Sequence, residues 1–244
     1  MATPIKTADE SVAFEGNHSA AAVRRAMLAE FWYYFRQNRG AVAGLVVFTI
    51  ILLVAIFAPL IAPHDPVVQV RGAFLRPPVW QDGGSWEYIL GTDPVGRDIL
   101  SRLIYGARFS LFIGLVVVTI SVTFGVVIGL IAGYFRGPVE AAIMGLADLQ
   151  LSIPRVLLLI AVTAIIGPSV FNLAILLGLT SWVAYGRVAR GMTLSLRERE
   201  FILSARVQGA SATWNIRQHL LPNVLPQMLI VGSYEFGMIV VLEA

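Results

Sequence analysis

Gly40–Ala62, GAVAGLVVFTIILLVAIFAPLIA, runs for 23 residues without a charged side chain. Crossing a hydrocarbon core of about 30 Å takes roughly 20 apolar residues as an α-helix, since a helix satisfies its own backbone amides where there is no water. The stretch predicts a membrane-spanning helix, and the composition carries that reading to the rest of the chain. Of the 244 residues, 57% are hydrophobic and 14% charged, with a mean hydropathy of +0.76. A soluble domain carries about 25% charged residues, so a soluble globular enzyme is disfavoured. The net charge of +3 comes without a long basic run, which sets nucleic-acid binding aside. With no cysteine there is no disulfide, thiolate metal site or redox motif to read.

Outward from this stretch, residues 1–22 are polar or small and do not form a secretory signal. VRRAMLAEFWYYFRQNR (Val23–Arg39) alternates aromatic and apolar residues with arginines, which suits a helix lying in the lipid headgroups. Residues 1–39 are therefore expected to be a tail with an interfacial helix, 40–62 the first span, and 63–107 a Pro- and Gly-containing loop outside the membrane. A second span is predicted from Arg108 to Phe135, where Gly125, Gly129 and Gly133 recur every four residues and would let another helix approach closely. After Arg136-Gly137-Pro138 a third span runs to Ile166, a fourth from Pro168 to Tyr185, and a fifth from Val224 to Leu242. The fold class is thus an all-α polytopic membrane protein with five predicted transmembrane helices and a core over residues 108–244.

The third span contains Asp148, Pro154 and Arg155. A charge at the bilayer centre costs on the order of 2.5–3.5 kcal/mol on insertion scales, so such groups face a bundle interior or a wet cavity. A proline kink would leave Asp148 and Arg155 about two turns apart on nearly the same face. They either line a pathway, or sit near the headgroups, or form a structural ion pair. Basic residues set the orientation: 12 fall on the side of the N-terminus and 5 on the other, which places the N-terminus and residues 187–223 in the cytoplasm.

That cytoplasmic segment, RVARGMTLSLREREFILSARVQGASATWNIRQHLLPN (Arg187–Asn223), reads as two short helices joined by a glycine bend. Ser195 with Glu198 matches a capping box, so a helix is expected from Leu196 to near Gly209. Ser211 can cap the next helix, and Pro222 would block its continuation into the fifth span. The product is a rigid knob that either docks a partner or lies on anionic lipid.

At these residues the chain resembles the permease subunits of binding-protein-dependent ABC importers. Ser204, Ala205, Gly209, Leu221 and Pro222 stand where the family's EAA motif has two alanine-type residues, a glycine and a closing Leu-Pro pair. Leu203 replaces the motif's glutamate, with Glu200 nearby, Ser204 replaces its first alanine, and His219 stands where isoleucine is frequent. LGTDPVGRDILSRLIYGARFSLFIG (Leu90–Gly114) resembles the peptide and nickel branch. APLIAPHDP and LRPPVWQDGGSWEYILGTD look most like the second, C-type permease of dipeptide importers. By residue chemistry alone, Asp93-Pro94 is equally a helix N-cap with proline at the first helical position.

The resemblance implies half of a translocation pathway for dipeptides or oligopeptides, built on a six-helix permease fold in the inner membrane of a prokaryote. A second, homologous permease would supply the other half, two ABC ATPases would use ATP and Mg in the cytoplasm, and an extracytoplasmic binding protein would deliver substrate. The chain itself would bind no cofactor and perform no catalysis; it has no phosphate-loop, zinc-helix or nucleophile-turn motif, and His18, His64 and His219 lie in separate segments. Its coupling loop would comprise Glu200, Ser204, Ala205, Gly209, Ala210, Ser211, Leu221 and Pro222. Nickel, haem or another peptide-like cargo is the alternative within transport, and a membrane anchor or assembly protein the alternative outside it. Because family members continue into a sixth span, the sequence ending at Glu243-Ala244 is expected to be a fragment or a chain that has lost that helix.

Overall fold

Pro59 and Pro154 mark two of the places where helices of this chain break. The computed structural model describes residues 20–243, in which there is no β-strand, only one isolated antiparallel bridge between Thr92 and Asp98. The chain divides into two units, residues 1–51 and residues 52–244. The first holds α1 (Ala20–Gln37) and, as far as Ile51, α2 (Arg39–Ile56). Asn38 separates them, and its side chain accepts the Ala41 amide at 3.1 Å, capping α2. The α1 aromatics are mostly exposed; Trp32 stacks on Phe35 with centroids 5.5 Å apart, and the Arg36 guanidinium lies over Trp32.

The helix expected over residues 40–62 stops at Ile56. Phe57 leads into a separate turn, α3 (Ala58–Ile61), with Pro59 in its first positions. Proline fits where an amide is unsatisfied anyway, but inside α2 it would remove a bond and clash with the preceding turn.

Residues 63–98 form an ordered loop ahead of α4 (Ile99–Phe135). Asp98, rather than Asp93, caps α4: its carboxylate accepts the Ser101 amide at 3.0 Å and the Ser101 hydroxyl at 2.6 Å. Asp93-Pro94-Val95-Gly96 is instead a tight turn closed by the Gly96 amide on the Asp93 carbonyl at 2.9 Å. Asp, Pro and Gly at its first, second and fourth positions are as characteristic of a β-turn as of a helix start, which is why residue chemistry alone left the assignment open. With 37 residues, α4 is roughly 55 Å long, well beyond a hydrocarbon core. It therefore starts nine residues before the apolar span at Arg108.

The third predicted span is broken. α5 (Gly137–Ser152) and α6 (Arg155–Ile166) meet at 89°. Ile153 is extended (φ −97°, ψ 125°), as the residue before a proline is forced to be, and Pro154 caps α6. Asp148 and Arg155 consequently do not share a helix face, which corrects the kinked-helix expectation.

α7 (Val170–Leu196) runs eleven residues past Tyr185, the end suggested by hydropathy. The added turns hold Arg187 and Arg190, which pair with Asp148 and Glu140 of α5. Ser195 lies inside this helix, so the expected capping box does not form, and Glu198 binds Arg136 at 2.6 Å. α8 (Glu200–Val207) and α9 (Ala212–Asn215) follow, then a π-helical turn over Ile216–Leu220 that runs directly into α10 (Leu221–Glu243). Pro222 does not stop the chain there. The Leu221 amide reaches back five residues to the Ile216 carbonyl, and the register shift puts the amide-less proline in the opening turn of α10.

Among the described residues, four helical stretches are long and apolar enough to cross a membrane: Arg39–Ile56, Ile99–Phe135, Val170–Leu196 and Ala212–Val241; counting the bent pair α5–α6 as one span makes five. α4 and α7 pack along much of their length, with α10 against both. The small-residue row is the reason. Gly125, Gly129 and Gly133 lie against Tyr185, Ala189 and Thr193 of α7, and a Cβ on Gly125 would stand 2.6 Å from the Trp182 carbonyl. Close approach of this kind replaces the hydrophobic effect as the force between helices in lipid.

Candidate functional site

Two regions concentrate the chemistry. One is the loop joining α7 to α10. α8 ends in a Schellman turn: the Ala210 amide binds the Ala205 carbonyl at 3.0 Å and the Gly209 amide binds the Arg206 carbonyl at 2.9 Å. Gly209 holds the required left-handed conformation at φ +85°. Ser211 then caps α9 by accepting the Trp214 amide at 3.2 Å. Buried Asn215 staples the bend through its Nδ2, which donates to the Ala210 and Ser211 carbonyls at 3.3 and 3.1 Å.

The loop is fastened to the bundle as firmly as it is folded. Ile202 and Leu220 are fully buried in one cluster with Val126 and Leu130 of α4, Tyr185 and Ala189 of α7, and Val224 and Met228 of α10. The guanidinium of Arg206 lies 4.8 Å from the Tyr134 ring centroid, and Arg197 donates to the Tyr134 carbonyl. Glu200, Ser204, Gly209, Ser211 and Pro222 are exposed, while Ala205, Ala210 and Leu221 are half-buried. Glu200 opens α8, where a negative charge favours the helix dipole. Sequence reading did not single out Phe201, Val207 and Trp214, whose apolar side chains stand exposed around this bend, Val207 at 88%.

The other region is a cavity of about 260 Å³ beside the α5–α6 break, lined by Gln150, Arg155, Thr180, Ser181 and Glu235 together with apolar neighbours. An Arg155 Nη donates to the Ser181 hydroxyl at 2.5 Å, and Ser181 in turn binds the Leu177 carbonyl. Gln150 donates to the Thr180 carbonyl at 2.6 Å and accepts the Trp182 indole N–H at 2.8 Å. Asp148 is elsewhere. Its carboxylate meets Arg187 at 2.5 Å, with both side chains about half-exposed or more. The structure therefore separates the two charges that the sequence grouped, and puts Glu235 of α10 near Arg155 instead. Glu235 was readable as a lone carboxylate inside an apolar run, which is the intramembrane signal that drew attention to Asp148. Among the described residues, no three His, Asp or Glu side chains converge as a metal site.

Residues 125–244 match the model of the binding-protein-dependent transport system inner membrane component, and residues 27–78 that of the N-terminal TM domain of oligopeptide transport permease C. The dipeptide transport system permease protein DppC of Escherichia coli strain K12 is 45% identical over 218 residues, covering 89% of this chain and 73% of the relative. The protein of the same name from Haemophilus influenzae is 43% identical over 203 residues, covering 83% and 69%. The di/tripeptide transport system permease protein DppC of Pseudomonas aeruginosa is 39% identical over 210 residues, covering 86% and 69%. The chain belongs to this family of ABC importer permeases, in its C-type branch. The permease is accordingly an integral inner-membrane protein, and both candidate regions of its core lie within the part matched by the family model. The ordered 63–98 loop begins inside the first matched part of the permease and leads into α4, which enters the second. There the Asp93 carboxylate binds Arg97 Nε at 2.8 Å and an Arg102 Nη at 2.6 Å. Burial pushes its pKa up, but bonds from the Arg97 and Val95 amides and the Arg97 guanidinium outweigh this and lower it from 3.8 to about 2.

Proposed function

We propose that this permease forms half of the translocation pathway of an ATP-driven importer of di- and oligopeptides, with its N-terminus and the 197–220 loop in the cytoplasm. The peptide cargo is taken from the names of its relatives, and the orientation from the excess of basic residues on that side. Charged groups around the cavity beside the α5–α6 break support a transporting role over that of a membrane anchor.

The observation that carries the coupling reading is the shared core of the loop and the spans. Because Ile202 and Leu220 are buried among residues of α4, α7 and α10, a displacement of the loop moves those helices rather than bending away from them. The apolar rim of Phe201, Val207 and Trp214 and the bend at Gly209 seat in a groove of a partner ATPase. ATP and Mg belong to the ATPases; this chain binds neither and catalyses nothing. Their closure pulls on the loop, and the helices rock between an outward and an inward opening, a two-state motion biased by differential contacts at the loop. A second, homologous permease encloses the other half of the pathway, and an extracytoplasmic binding protein delivers peptide at the end bearing the 63–98 loop. Affinity purification of the full-length protein from its native membrane in mild detergent tests this. Recovery of a second permease, ATPases and a peptide-binding protein is expected, and recovery of the chain alone would overturn it.

A further inference from the structure

Arg155 and Glu235 line one cavity beside the α5–α6 break, carry opposite charges, and do not satisfy one another. Arg155 donates one N–H to Ser181, which leaves its Nε buried without a hydrogen-bond partner. Glu235 makes no hydrogen bond or ion pair among the described residues. Ser181 lies about 22 Å along α7 from its Leu196 end, and Glu235 about 21 Å along α10 from Leu221, so the two helices bring them to a similar depth. Charges at such a depth are costly unless they meet a partner or line a wet path. Two unlike charges that line one cavity without pairing suit an occupant with a charge at each end. The volume, about 260 Å³, is near the lower limit of small-ligand pockets, about 300 Å³.

We propose that Arg155 and Glu235 form a station for small zwitterions on the pathway, Arg155 taking the carboxylate of a passing peptide and Glu235 its ammonium group. The assignment rests on the peptide reading above and specifies which atoms of the peptide the permease recognises. The planar Arg155 guanidinium suits a carboxylate. The Thr180 and Ser181 hydroxyls and the Gln150 amide supply neutral polar groups around the same space. Binding here is weak, because a station that held its ligand tightly would not release it.

The test uses the complete importer, with its partner permease and ATPases, in nanodiscs without the binding protein. Radiolabelled dialanine is the probe, and N-acetyl-dialanine and dialanine amide are competitors. In the wild type, dialanine competes better than either blocked peptide. E235Q is expected to weaken dialanine binding by about tenfold or more and to erase the preference over N-acetyl-dialanine; R155Q does the same for dialanine amide. Where R155Q does not assemble, E235Q decides. Wild-type affinity in E235Q, or an equal loss for all three ligands, overturns the station. So does a rise in ATPase activity without the binding protein, which would make the two residues a gate. A wild-type complex that imports dialanine in proteoliposomes but does not retain it here overturns the station alone. One that neither imports nor binds it removes the peptide reading as well.

Discussion

Gly129 of α4 lies so near Gly186 of α7 that a side chain on Gly129 would run into the Gly186 carbonyl. The obstacle is backbone, which has no rotamer into which to retreat. Gly129→Leu should destabilise the bundle by at least about 3 kcal/mol, the upper range for overpacked cores. Thermal unfolding in detergent checks this, with Gly44→Leu as the control: no atom lies within 4 Å of a Cβ at that position, and its melting temperature should stay at the wild-type value.

Gly209 is constrained by conformation rather than space, since nothing lies within 4 Å of a Cβ there while its φ is +85°. A left-handed residue with a side chain costs about 1–2 kcal/mol. Gly209→Val should therefore leave the spans folded but distort the bend. The expected outcome in the reconstituted importer is loss of most ATPase stimulation by loaded binding protein, with near-normal melting. Full stimulation would argue against the coupling role of the loop. Ser211→Ala, which removes only the cap of α9, should have a milder effect of about 1 kcal/mol.

Asp93 makes the 63–98 loop sensitive to acid. Its folded pKa, about 2, is below the ordinary 3.8, so its contribution to stability is fully present above pH 4 and is lost as pH falls toward 2. Limited proteolysis of the loop should accelerate across that window in the wild type. Asp93→Asn should cleave faster at neutral pH and show a weaker dependence on acid.

Asp148 and Arg187 form an ion pair with side chains 68% and 49% exposed in the chain. If they face water on the pathway, a double-mutant cycle with Asp148→Asn and Arg187→Gln should return a coupling of about 0–1 kcal/mol, as for exposed pairs. A coupling of several kcal/mol would place the pair against lipid or a dry subunit interface.

Much of the fold was legible in the sequence. Charge-free apolar runs located the spans because lipid leaves the backbone no alternative to a helix. The Gly125-Gly129-Gly133 row marked a close helix contact, and Gly209 and Ser211 marked a bend and a cap, because each depends on neighbours within one or two turns. Helix ends were read less well where hydropathy stood in for helicity. Arg187 and Arg190 lowered the hydropathy of α7 without ending it, since each has a carboxylate waiting on α5.

The class of the protein, the order of its spans and the bend at the centre of its loop are legible in the residues alone, because all three follow from local backbone chemistry and from the solvent. Which charges meet depends on how the helices pack. Asp148 and Arg155 are seven residues apart, yet the bend at Pro154 sends them to different partners. Arg155 and Glu235 are eighty residues apart and share a cavity, because the packing of α7 and α10 sets the depth of each. Spacing along one helix predicts a common face only while that helix stays straight. Proximity between helices is fixed by packing, which no single segment encodes.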